Sequence, residues 1–413
     1  MTLSLPSVLA LVLAAPSLFG AAIFTYILIA MRRTHAVLGV ASDGLASSLN
    51  RSSPVWVIVP AHNEQAVIAS LVASLRNQDY PAFRAVLALD RCTDSTLAVA
   101  LETIGPDERF EVLEIASCPA DWAGKVHAIH EAVTRQQIPA DGVLVFADAD
   151  TVLHPGCLRA CVALLDERRL DALSLLSTLT YDQSFEKTSQ APASFELLVR
   201  YPPLKASRDH QRRPFANGQF IMMRQSAYQA IGTHAAFRDE LLEDLAIARA
   251  IWQSKLRMQV LPAGNMMQCR MYPNAVAFRR GWKRIFIESA KRKPSRLRSW
   301  SFAALARGML FPAWNTALLG ASVAAFFLWP AAPTGAIAIA VAASAAGVAA
   351  WLAVIWLFLK SAGISSAARR VNVLLRWPLG SARLSSLLRE AANELETGVP
   401  TAWAGRTYKR QSR

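Results

Sequence analysis

Asp148 and Asp150 follow the apolar run Val143-Leu144-Val145-Phe146, with Ala149 between them. If that run is a buried strand, the period-two alternation of its side chains turns both carboxylates the same way. At the carboxyl edge of an α/β sheet such a pair faces the crevice where ligands bind. Two hard oxygen donors there suit Mg²⁺ or Mn²⁺ holding a diphosphate. Further along, Trp122-Ala123-Gly124-Lys125 opens a predicted helix. Helix N-terminal amides and a lysine ammonium together make a seat for a diphosphate, although a solvated lysine reads the same way in isolation.

Two more polar clusters sit where strands end. Pro60-Ala61-His62-Asn63-Glu64 follows Val55-Trp56-Val57-Ile58-Val59, and Asn63 is placed to cap the next helix. Asp90-Arg91-Cys92-Thr93-Asp94-Ser95-Thr96 follows Val86-Leu87-Ala88-Leu89; its short side chains can accept from a base or ribose, or simply cap a helix. No glycine-rich dinucleotide fingerprint and no P-loop accompanies either strand, which argues against a dehydrogenase or a nucleotide hydrolase. Glu243-Asp244 reads as a pair of acids in a helix's first turn, where the macrodipole favours them. Cys157 and Cys161 share a helix face but lack a histidine nearby and read as packing; the five cysteines form no CxxC pair and suit a reducing cytosol.

These residues need a scaffold. Strands at 55–59, 86–89, 112–115 and 143–146 alternate with helical patterns, one of them carrying Val67, Ile68, Leu71, Val72 and Leu75 on one face. That alternation predicts a doubly wound, mostly parallel α/β sheet over residues 54–300. Apolar residues make up 53% of the 413-residue chain, and their excess lies at its ends. Residues 1–33 read as a retained membrane helix ending in Arg32-Arg33, 34–53 as a polar linker, and 301–360 as a hairpin of two spans, Leu310 to Trp329 and Gly335 to Leu359. Arg32, Arg33 and Lys360 put the central domain on the cytoplasmic side. Residues 361–413 carry a basic interfacial helix and tail. The net charge of +14 gathers between Arg270 and Arg298, opposed in sequence only by Glu288. Beside apolar spans, such charge fits an anionic lipid surface rather than nucleic acid, for which no binding-module signature is present.

The order V-x-I-V-P-A-H-N-E, L-D-x-C-T-D-S-T, G-K, D-A-D and E-D resembles the membrane-attached family-2 glycosyltransferases, over about residues 54–290. Trp122-x-Gly124-Lys125, Arg270-Met271-Tyr272 and Trp403-Ala404-Gly405-Arg406-Thr407-Tyr408 are most similar to the bacterial branch that glycosylates hopanoid, carotenoid or ceramide-like lipids. The resemblance implies a GT-A fold, a nucleotide-diphosphate sugar donor (UDP-hexose), a Mg²⁺ or Mn²⁺ cofactor, inversion at the anomeric carbon and a lipid acceptor at the inner membrane. By position, Pro60, Glu64 and Asp90 would hold the nucleoside and Lys125 the diphosphate. Asp148 and Asp150 would hold ribose, phosphate and metal. Ala216-Asn217-Gly218-Gln219 matches the acceptor-side strand, with Gly218 letting the sugar approach the backbone. Glu243-Asp244 matches the base motif, Asp244 being the general base.

One motif departs from the pattern. Relatives carry Gln-x-x-Arg-Trp or Arg-x-x-Arg-Trp after the base, whereas this chain reads Arg279-Arg280-Gly281-Trp282. Arg280 would meet a phosphate and Trp282 would stack on an acceptor if the role transfers. Processive synthases lean on the full motif, so the departure favours single-sugar transfer over a small polysaccharide synthase. The intact acids count against a third reading, a membrane scaffold with a degenerate transferase domain.

Overall fold

The computed structural model describes residues 5–47, 53–207, 213–329 and 334–398, and the backbone of 401–403 and 406–408. It opens with α1 (Leu5–Leu38), then a short tight helical turn at Ala41–Ala46. The alternating unit follows: β1 (Val55–Ala61), α2 (Ile68–Arg76), β2 (Phe83–Asp90), α3 (Thr96–Ile104), β3 (Phe110–Ile115), α4 (Gly124–Thr134) and β4 (Val143–Ala147). β1, β2 and β4 carry near-continuous apolar runs because helices cover both faces of the sheet, while the edge strand β3 exposes Glu111 and Glu114. Val57, Val59, Leu87 and Val145 point into one core, while Ile58, Val86, Leu144 and Phe146 point into the other.

The second half adds β5 (Thr151–Leu153), α5 (Cys157–Glu167), β6 (Ala172–Leu176), β7 (Thr178–Leu179), α6 (Ala191–Arg200), α7 (Pro203–Ala206), β8 (Phe220–Arg224), α8 (Gln225–Ala230), α9 (Glu243–Gln253), β9 (Met258–Pro262) and β10 (Met267–Cys269). The main sheet runs β3-β2-β1-β4-β8-β6-β9, and a small one runs β5-β10-β7. Every pairing in the main sheet is parallel except those of β8, which is antiparallel to both β4 and β6. The reversal matters for position: Ala147 pairs with Phe220, so the turn before β8 lies beside the turn after β4. This is the doubly wound, mostly parallel GT-A-like sheet expected from the sequence.

Beyond the sheet come α10 (Ala275–Ser289), α11 (Pro294–Leu305), a wide helical turn at Ala306–Leu310, α12 (Phe311–Leu328), α13 (Thr334–Ser361) and α14 (Ala367–Glu396). The last described backbone is a two-stranded ladder of β11 (Thr401–Trp403) and β12 (Arg406–Tyr408). Three stretches are long and apolar enough to cross a membrane: Val8–Ala46, Pro294–Leu328 and Thr334–Ser361. α1 packs on α12 and α13. At Gly20 any side chain would overlap the Phe311 ring, the close approach that small residues permit between apolar helices.

Three local expectations are corrected. The polar linker expected from residue 34 is ordered through Ser47: α1 runs on to Leu38, and Ala41 and Gly44 are buried, Gly44 against the Ala160 carbonyl of α5. Residues 48–52 of that linker lie outside the described residues. The helix expected to lie at an interface is α14, and protein takes up only part of its apolar surface: Trp377, Leu384, Leu387 and Leu388 are buried, with α14 packing on α10 and α11, while Val371, Leu375 and Leu379 stay exposed. The basic run of α10 and α11 is also opposed in space, not only by Glu288. Arg279 pairs with Glu390; Lys283 reaches Glu390 at 2.8 Å and Glu394 at 2.6 Å; Arg298 reaches Glu396 at 2.6 Å. The connector at 330–333, Ala404-Gly405 and the tail's Lys409, Arg410 and Arg413 lie outside the described residues.

Candidate active site

Lys125 stands in the first turn of α4 and bridges two acids. Its Nζ lies 2.7 Å from Asp148 Oδ1 and 2.6 Å from Glu243 Oε1. The Lys125 and Asp148 side chains keep 30% and 29% of their surface exposed, so the bridge faces an opening; Glu243 keeps 9%. Burial alone would lower the lysine's pKa, but the two carboxylates reverse that and hold it above its usual range. Burial works against the Glu243 charge, Lys125 overrides it, and the Glu243 pKa falls.

Asp148 and Asp150 occupy the turn after β4 rather than its last strand residues. The turn is closed by Thr151 N donating to Asp148 O at 3.2 Å, and it is tied across to β8 by Asp148 N donating to Gln219 O at 3.2 Å. Burial raises the Asp148 pKa, Lys125 offsets it only in part, and Glu243 reinforces it. Asp150 is pushed up to about 8 by burial, then by Asp148 and Glu64. Its Oδ1 is buried with no hydrogen-bond partner among the described residues. Glu64 is pushed up to about 7 by burial, then by Asp148 and Asp94. Glu64, Asp148 and Asp150 thus form one cluster of mutually repelling carboxyls. No group of three or more His, Cys, Asp or Glu among the described residues is placed to hold a metal ion alone.

Asp244 enters from the start of α9. Leu245 N donates to its Oδ1 at 2.7 Å and Gly218 N to its Oδ2 at 3.1 Å. Burial raises its pKa to about 6, with Glu243 adding and Lys125 and the two amides opposing. Gly218 is a glycine for space: a Cβ there would lie 3.3 Å from Asp244 Cβ, Asp244 Oδ2 and Glu243 Oε1. The structure therefore brings Lys125, Asp148, Gly218, Glu243 and Asp244 together, with Asp150 and Glu64 coupled to them through Asp148.

Pro60 and Asp90, expected on the nucleoside side, are less directly linked to that group. Pro60 is the half-buried residue of β1, between buried Val59 and Ala61. Asn63 does not cap α2; it has φ 57°, and its Oδ1 accepts from Thr93 N at 2.8 Å, tying the two loops together. Asp90 is buried and held bidentately by Arg91, at 2.8 and 2.6 Å, close against Gly124. His62 Nδ1 lies 2.6 Å from Asp90 O.

The Arg-Trp departure resolves spatially. Trp282 is 2% exposed, enclosed with Phe278 and Phe286, so its ring is not a stacking surface. Arg280 is exposed on α10. Arg284, grouped by sequence with the lipid-facing charges, instead donates to Leu241 O at 2.9 Å and acts on Asp148. Its one-turn offset from Arg280 on a helix is the signal that could have singled it out. Gln219 and Cys269 were also missed as supports: Gln219 Nε2 donates to Cys269 Sγ at 2.9 Å, and Cys269 lies against Asp150. Cys157, Cys161 and the other cysteines are free thiols, the first two fully buried in α5.

No curated protein matches the sequence. Among solved structures, the mannosyltransferase PcManGT from Pyrobaculum calidifontis in complex with GDP-Man and Mn²⁺ is 20% identical, with 92% of this chain and 98% of that one covered and a TM-score of 0.47. S. aureus TarS 1-349 in complex with UDP-GlcNAc is 16% identical, covering 87% and 97% at a TM-score of 0.39. M. tuberculosis glucosyl-3-phosphoglycerate synthase is 14% identical, covering 61% and 83% at 0.38. The model of the family described as glycosyltransferase like family 2 matches residues 53–283, more than half the sequence and the whole of the site above, and the chain belongs to that family.

Proposed function

We propose that this chain transfers one hexose from a nucleotide-diphosphate sugar, a UDP-hexose, to the hydroxyl of a membrane lipid at the cytoplasmic face, with inversion. The observation that carries the proposal is the meeting of Lys125, Asp148, Glu243 and the Gly218–Asp244 contact at one edge of the sheet. Asp244 takes the proton from the acceptor hydroxyl as its oxygen bonds to the anomeric carbon. The bond from that carbon to the diphosphate oxygen breaks on the opposite face, and the diphosphate leaves with the electron pair. Lys125 and the first amides of α4 receive the charge that develops there. Asp244 is suited to the task because both oxygens are oriented by backbone amides and its pKa of about 6 leaves it ionised near neutrality. Glu243 keeps Lys125 charged and positioned. Pro60, Glu64 and Asp90 line the nucleoside side.

The donor set fits Mg²⁺ or Mn²⁺. Asp150 offers a buried, unpartnered carboxylate oxygen beside Asp148, and these two acids would hold the cation, with diphosphate oxygens and water as the remaining donors. The cation would neutralise charge on the diphosphate.

The lipid acceptor is supported by the three apolar helices on which the catalytic domain stands. Enclosure of Trp282 removes the aromatic platform that chain elongation would use, which favours a single transfer. The test incubates the purified chain with Mn²⁺ or Mg²⁺, a panel of UDP- and GDP-sugars and a bacterial lipid extract, and weighs the products by mass spectrometry. The expected product is a lipid heavier by one hexose, absent with Asp244→Asn. Background hydrolysis of every donor without a new lipid overturns the reading.

A further inference from the structure

Below the catalytic sheet, where α6 meets the wide turn leading into α12, two guanidiniums share one carboxylate. Glu196 Oε2 accepts from Arg200 Nη1 at 2.6 Å and from Arg307 Nη2 at 2.5 Å, and its Oε1 accepts from Arg307 Nε at 3.1 Å. The side chains of Glu196, Arg200 and Arg307 keep only 5%, 10% and 24% of their surface. The cluster therefore holds a net charge of +1 in a largely enclosed place, where an uncompensated charge is unfavourable. Arg200 Nε, moreover, is buried with no hydrogen-bond partner among the described residues. The Arg200 guanidinium is stacked 4.5 Å from the centroid of Trp300, which fixes its plane. The more open Arg307 is held at its backbone by Trp351 Nε1, 3.1 Å from Arg307 O.

The depth of this cluster is set by the helices around it. α12 begins one turn after Arg307 and has 18 residues, about 27 Å at 1.5 Å per residue. The part of α13 from its start to Trp351 is equally long, and both match a hydrocarbon layer of about 30 Å. Past Trp351, one face of α13 packs on protein: Ile355, Phe358 and Leu359 meet Phe195 and Trp377. The cluster thus lies where that layer gives way to headgroups, with Trp351 and Trp377 buried beside it. Guanidinium nitrogens not spent on Glu196, Arg200 Nε among them, are donors that a phosphate oxygen can accept from.

We infer that Arg200 and Arg307, biased by Glu196, form a site for the phosphate of a membrane phospholipid, separate from the sugar-transfer site. The inference rests on the reading of α1, α12 and α13 as membrane spans. Sedimentation of the full chain with membranes tests that reading separately, and a membrane-embedded chain without phosphate preference fails this inference alone.

The experiment delipidates the full chain in neutral detergent. It then records melting temperature and native mass spectra with short-chain phosphatidylglycerol, a phosphate-free diacyl glycolipid of equal chain length, or inorganic phosphate. Wild type is expected to retain phosphatidylglycerol at least tenfold more tightly than the glycolipid, with inorganic phosphate giving the smaller shift in melting temperature. Arg307→Gln should erase the preference, Arg307→Lys should keep part of it, and Glu196→Gln should strengthen it. Equal retention of phosphatidylglycerol and glycolipid by wild type overturns the site whether or not the variants fold. An unchanged preference in Arg307→Gln overturns it too, and a full shift from inorganic phosphate alone overturns the lipid assignment.

Discussion

Replacing Gly218 by alanine tests whether Asp244 works from the position described. The added Cβ would sit 3.3 Å from Asp244 Cβ, Asp244 Oδ2 and Glu243 Oε1. Carbon contacts relax at about 3.5–4.0 Å, so the acids must retreat by roughly 0.3–0.5 Å. Asp244 has little freedom to absorb this elsewhere, because Leu245 N holds its other oxygen at 2.7 Å. A misplacement of about 1 Å at a reacting centre costs about 10²-fold, so this retreat should lower kcat about 4- to 10-fold, or about 0.8–1.4 kcal/mol in the barrier. The donor KM should stay within about twofold and the melting temperature within about 2 °C, since one methyl at a half-open turn disturbs no core. Initial rates with radiolabelled donor, varied at saturating acceptor, separate these quantities. A wild-type kcat refutes the positioning argument. A loss confined to donor KM would mean that the Gly218 edge serves the donor and not the base.

Four further outcomes are expected. Asp244→Asn should lower kcat about 10²- to 10⁴-fold with donor binding retained, as read by calorimetry with the nucleotide sugar; a surviving rate would assign the base elsewhere. A base whose pKa is raised to about 6 is inactive when protonated, so kcat/KM should rise about tenfold per pH unit below pH 6 and level off above it; a flat profile from pH 5 to 8 contradicts that. Because the Asp150 pKa of about 8 leaves it mostly protonated at pH 7, Mn²⁺ binding should release close to one proton there, seen as a buffer-dependent binding enthalpy that Asp150→Asn removes. Trp282→Ala should destabilise the fold by about 3–5 kcal/mol in chemical denaturation, as expected of a large core ring; unchanged stability with lost acceptor affinity would restore the stacking role.

Much of this architecture was legible because the strands are apolar on both faces, a pattern that only helix-covered sheets sustain. The motifs at strand ends were legible for the same reason: once 55–61 and 143–147 are strands, Glu64 and Asp148 must emerge at one edge. Period-two reasoning placed the aspartates at the end of β4 but did not set their orientation, since a turn and not the pleat carries them. What escaped was cross-chain. Nothing local says that Lys283 faces Glu390 and Glu394, more than a hundred positions away, or that Leu384, Leu387 and Leu388 of α14 pack against α10 and α11. Arg284 was hidden likewise, since its approach to Asp148 depends on how α10 packs beside α9. Trp282 misled because a sequence motif fixes residue type but not which way a ring points.

The length of α1 bears on the proposed transfer to lipid. At 34 residues, about 51 Å, it exceeds a hydrocarbon core of about 30 Å, and beyond its C-terminal end the Ala41–Ala46 segment packs against α5. On the proposed reading, a sheet tied to such a mast meets acceptor hydroxyls at one height above the bilayer, and lipids whose heads protrude to that height are the ones it favours.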